Sequence, residues 1–140
     1  LLFFNSLRDK TFLFFTPDPY KRAQRTLLLA DARLVMARDL AARGKTGLSV
    51  STAAKAEGYL EEALAWGKDA GVHGYDVLGF YETLTKAALV HREILEKMML
   101  GAPEEARPLI NRAVGKSIKV YDETVLALSE RGKYLPKEGH

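Results

Sequence analysis

The residues with the widest chemical range in this chain are three histidines, His73, His91 and His140. No His-x-x-x-His or Glu-x-x-His spacing joins them, so the ligand pattern of di-metal carboxylate bundles is absent. His91 precedes Met98 and Met99 at helical spacing, and those three are the one set that would suit a soft metal such as copper. The same residues read more simply as packing, with Met36 as another gap-filler. Ser49, Ser51 and Thr52 cluster where a helix is expected to begin, which predicts caps rather than nucleophiles. Neither a Gly-x-Ser-x-Gly elbow nor a phosphate-cradling glycine loop occurs. The carboxylate pairs Glu61-Glu62 and Glu104-Glu105 are adjacent in sequence, diverge around a helix and read as solvated charges. Asp31 and Arg38, seven residues apart, share a helix face beside an apolar stripe. They are candidates for a polar core contact with Tyr59 or His91 of a facing helix, or for a boundary ion pair. No catalytic residue and no cofactor is expected from these patterns.

Helices must position these groups. The chain has 140 residues, 47% of them hydrophobic and 28% charged, with no cysteine, so disulfides and thiolate chemistry are excluded. Abundant Ala and Leu favour helix over strand. Asp18 followed by Pro19 is a strong helix start, and Gly44 supplies a left-handed stop near Arg43. Leu27, Leu34 and Ala41 form its expected stripe, with Leu28 and Val35 beside them. Ala37, Ala41 and Ala42 predict a close helix neighbour. A second long helix is expected from about Leu48 to Ala70, ending at Gly71. A third runs from an Asp76 cap to about Leu100, with His91 on its apolar side. A fourth opens at Pro103 and ends at Gly132. Short loops between long helices predict an all-α, antiparallel up-and-down four-helix bundle over 18–132, within one domain covering 1–140. Residues 133–140 read as a tail.

The stretch 1–16 holds five of the six phenylalanines and is expected to form a short amphipathic, aromatic-rich helix. Phe3, Phe4, Leu7, Phe14 and Phe15 with Arg8 and Lys10 would make a membrane- or partner-facing surface; Phe12, Phe14 and Phe15 could equally cap one end of the bundle. Residues 1–45 carry nine Lys and Arg against four Asp and Glu. That excess suits an anionic membrane surface or a protein partner, whereas a nucleic-acid interface would show a denser basic stripe.

Several strings then become informative in combination. They are Leu13-Phe14-Phe15-Thr16-Pro17-Asp18-Pro19, Leu29-Ala30-Asp31-Ala32-Arg33-Leu34, Leu40-Ala41-Ala42-Arg43-Gly44-Lys45, His91-Arg92-Glu93-Ile94-Leu95 and Ala102-Pro103-Glu104-Glu105-Ala106. In that order, to about Leu128, the chain resembles the bacterial and archaeal helical domain family of unknown function catalogued as DUF5667. The resemblance implies a position after a signal peptide or membrane anchor upstream of Leu1, hence an extracytoplasmic location. It implies no activity. The resulting expectation is a non-enzymatic binding or scaffold domain of the cell envelope; a metal- or small-ligand-binding sensor bundle is the alternative.

Overall fold

A computed structural model describes residues 18–130 as four long helices and no strand. Helix α1 spans Pro19–Ala42, α2 spans Thr46–Val72, α3 spans Leu78–Gly101 and α4 spans Arg107–Glu130, with a short 3-10 turn, Glu104–Ala106, before α4. The expected aromatic-rich helix over 1–16 and the tail 133–140 lie outside the described residues.

Local chemistry explains most boundaries. The Asp18 carboxylate accepts hydrogen bonds from the backbone N–H of Tyr20 at 2.8 Å and Lys21 at 3.3 Å, two of the donors a helix start leaves unsatisfied. Gly44, at φ +77°, turns the chain out of α1. Helix α2 begins at Thr46, earlier than expected, without a side-chain cap. Ser49, Ser51 and Thr52 therefore sit inside it and cap nothing. It also runs past Gly71 to Val72, and Gly74, at φ +94°, makes the turn. Asp76 accepts from the backbone N–H of Leu78 at 3.2 Å.

Successive helices run in opposite directions, and contact spacing fixes how they assemble. Ser49 Oγ donates to the carbonyl of Ala37 at 2.8 Å, which requires α1 and α2 to approach closely and antiparallel. In that register Ala30 comes level with Ala56 and Ala23 with Ala63, and all four are fully buried. Small residues recurring every seventh position thus draw these two helices together. Between α1 and α3, Tyr20 meets Phe80 and Asp31 meets His91, both sixty positions apart, so those neighbours run parallel. Lys68–Glu123 and Lys116–Glu61 give α2 and α4 the same parallel relation. The bundle is therefore two antiparallel hairpins side by side, with α1 and α4 on one diagonal.

The buried stripe of α1 is Ala23, Leu27, Ala30, Leu34 and Ala37. Leu28 and Val35, expected beside the stripe, are 66% and 41% exposed, and Ala41 is exposed as well. The core itself has two parts. One gathers Leu27, Leu60, Phe80, Leu84 and Leu128 at the end where α1 begins; the other gathers Leu34, Leu95, Met98, Ile110 and Val114 at the far end.

Candidate functional site: a buried carboxylate–imidazole–carboxylate bridge

Between the two apolar clusters lies a polar layer. Helix α3 brings in His91, one turn beyond Ala88 of the first cluster and one turn before Leu95 of the second. Its ring is 2% exposed and both nitrogens are engaged. Nδ1 lies 2.7 Å from Glu57 Oε2 on α2, and Nε2 lies 2.8 Å from Asp31 Oδ1 on α1. Glu57 has no exposed surface, while the Asp31 side chain is 48% exposed. A protonated imidazole therefore bridges a carboxylate at the surface to one in the interior, fastening three helices at one level. On α4 the corresponding interval between Val114 and Val120 is filled by buried Ser117, whose hydroxyl donates to its own helix at Val114.

Electrostatics follow from this placement. Burial opposes charge on the ring, but the hydrogen bonds and negative charges of Asp31 and Glu57 together outweigh it, and the His91 pKa is pushed up to about 9. Burial also pushes the Glu57 carboxyl above its ordinary value; the hydrogen bond and charge of His91 offset part of that rise, and Glu61 and Asp31 add to it. The second Glu57 oxygen, Oε1, is buried and finds no hydrogen-bond partner among the described residues. That deficit disfavours ionisation in the same direction. The bridge can hold a proton between a surface carboxylate and an interior one. It offers no opening through which a substrate would touch His91 or Glu57.

The expected polar set is rearranged accordingly. Asp31 and His91 come together. Arg38 does not join them; it is exposed, one turn from the end of α1. Tyr59 is 5% exposed and belongs to the first apolar cluster. Glu57 escaped the sequence reading, although a signal existed: it sits on the Ala53–Ala56–Leu60–Ala63 face of α2, where a solvated carboxylate does not belong. The alternative metal set of His91, Met98 and Met99 does not converge. Met98 lies in the second cluster with Met99 against it, and both ring nitrogens of His91 face carboxylates. Among the described residues no three His, Cys, Asp or Glu are grouped to hold a metal ion. Phe3, Phe4, Leu7, Arg8, Lys10, Phe14 and Phe15, the membrane- or partner-facing candidates, lie outside the described residues. No helix among the described residues is long and apolar enough to cross a membrane. Comparison with protein families, curated proteins and solved structures finds no match to this chain.

Proposed function

We propose that this chain is a non-enzymatic helical scaffold and binding domain of the cell envelope, working outside the cytoplasm next to an anionic membrane surface or a protein partner. One observation carries the non-enzymatic part. The buried His91 has both ring nitrogens committed to carboxylates, Glu57 in the core and Asp31 at its edge, so its chemistry is spent on joining helices. Buried ionic contacts of this kind are best attested as devices that set helix register. The location rests on the basic excess of residues 1–45 and on the resemblance to the DUF5667 domains, which follow a signal peptide or anchor.

Flotation with vesicles containing phosphatidylglycerol tests the membrane arm. The intact chain should co-float, and Phe14→Asp with Phe15→Asp should leave it in the soluble fraction while its helical circular dichroism is unchanged. A chain that never co-floats removes the membrane from this reading and leaves the protein partner.

A further inference from the structure

The parallel register of α1 and α3 has a consequence at the end of the bundle opposite Asp18. An offset of sixty positions brings Arg38 level with Lys97 and Met98, where the helices end at Ala42 and Gly101. Between them opens a pocket of about 520 Å³ that reaches inward to residues of all four helices. That size falls within the roughly 300–1,000 Å³ of ordinary small-ligand sites. Its floor is apolar, formed by Val50, Ile94, Met98 and Ile110. Every charged residue lining it is cationic: Arg38 from α1 and Lys97 from α3. Neither forms an ion pair among the described residues, although Lys97 is adjacent in sequence to Glu96, which pairs instead with Arg92 at 3.1 Å. Two uncommitted cations over an apolar floor select for one combination of properties in a ligand.

A second depression, of about 610 Å³ between α2 and α4, lacks that selectivity. It mixes Glu105 with Arg112 and Lys116, and Lys116 already pairs with Glu61 at 3.7 Å.

We propose that the end pocket binds an anionic amphiphile, with an alkyl chain against Val50, Ile94, Met98 and Ile110 and a carboxylate or phosphate head between Arg38 and Lys97. A free fatty acid and a membrane phospholipid share this chemistry. The described lining of the pocket lies between Arg38 and Ile110, so its test is separate from that of the membrane arm of the proposed function.

The test is calorimetric titration of the intact chain with dodecanoate below its micellar concentration, with amide chemical shifts recorded at Gly44 and Gly101. Saturable binding with shifts at those glycines is expected. Arg38→Ala with Lys97→Ala should weaken it about tenfold, the loss of two charge contacts at a solvent-facing mouth. Ala41 also lines the pocket, at its exposed rim, so Ala41→Phe, which narrows it and keeps both cations, should weaken binding as well, and Phe14→Asp with Phe15→Asp should not. Phosphatidylglycerol vesicles that reproduce the same shifts identify a bilayer lipid as the source; shifts with dodecanoate alone identify a free amphiphile. The inference is overturned if dodecanoate does not bind, if dodecyltrimethylammonium or inorganic phosphate binds equally well, or if the Arg38/Lys97 variant binds like the parent.

Discussion

The bridge through His91 makes stability depend on pH in one direction. An unfolded histidine gives up its proton near pH 6.5, whereas the folded one holds it to about 9. The folded state thus binds the proton more tightly. Its contribution is complete below pH 6.5 and is lost as pH rises through about 9. The Glu57 carboxyl is also raised above its ordinary value, chiefly by burial, so its own contribution falls with rising pH in the same direction. The two groups touch and titrate as a pair. Moving a pKa from 6.5 to about 9 corresponds to about 3 kcal/mol, an upper bound because Asp31 is 48% exposed and solvent screens its share. For a domain of this size that is roughly 5–10 °C in melting temperature. Thermal melts followed by far-UV circular dichroism, stepped from about pH 6 to about pH 9.5 at constant ionic strength, should fall by that amount. The slope should disappear in His91→Gln and persist in His73→Gln, since His73 is on the surface, where its ring meets Asp69 one turn earlier on α2. A flat profile in the parent, or an unchanged slope in His91→Gln, would refute the bridge as the origin of the effect.

Four further outcomes follow from the geometry. Glu57→Met should cost about 3 kcal/mol in chemical denaturation, because it leaves the imidazolium buried with one partner fewer; adding His91→Leu should recover most of that loss. Gly67→Ala should destabilise by about 1–3 kcal/mol, since a methyl group there would lie 2.7 Å from the Phe80 ring. Gly115→Ala should instead stabilise by up to about 1 kcal/mol, because it is helical, exposed and has nothing within 4 Å of the added carbon. Ser49→Ala should cost about 1 kcal/mol by removing the hydrogen bond to the Ala37 carbonyl, read from the same denaturation curves.

The elements were legible wherever a helix end is written in local chemistry. Asp18-Pro19 and Gly44 mark the limits of α1 because capping and left-handed turns need those residue types. The start of α2 was misplaced because it has no capping side chain, and its hydroxyls serve elsewhere: Ser49 reaches Ala37, and Ser51 bonds back to Leu48 at 3.2 Å. The core of α1 was legible in part. Leu27 and Leu34 are buried as expected, while Leu28, Val35 and Ala41 are exposed and the rest of the stripe uses Ala23, Ala30 and Ala37, whose small side chains signal burial weakly on their own. The candidate site was half legible. Asp31 and His91 stood out as polar residues beside apolar stripes, but their pairing depends on a parallel register between α1 and α3, and nothing local specifies that register. Glu57 is a single carboxylate in a helix that carries two solvated ones four and five positions later, and only its phase relative to the alanines separates it from them.

That same alanine phase explains why a costly polar layer belongs in this core. Ala23, Ala30 and Ala37 on α1 and Ala56, Ala63 and Ala70 on α2 repeat every seven residues and are all fully buried. A seam built of identical small residues at heptad spacing fits nearly as well after sliding by seven positions, so close packing alone leaves the register of this hairpin weakly specified. The bridge removes the degeneracy. A slide of one heptad would carry Glu57 away from His91 and bury its carboxylate unpaired, at a cost of several kcal/mol, while the alanine packing given up at one end would be partly recovered at the other. His91 extends the constraint to α3 through Asp31, which holds the two hairpins in the alignment that sets Arg38 opposite Lys97. An apolar substitute for the triad would match it in stability without this selectivity. The bundle therefore devotes His91, the one buried histidine among the described residues, to choosing among registers, and the geometry of the end pocket depends on that choice.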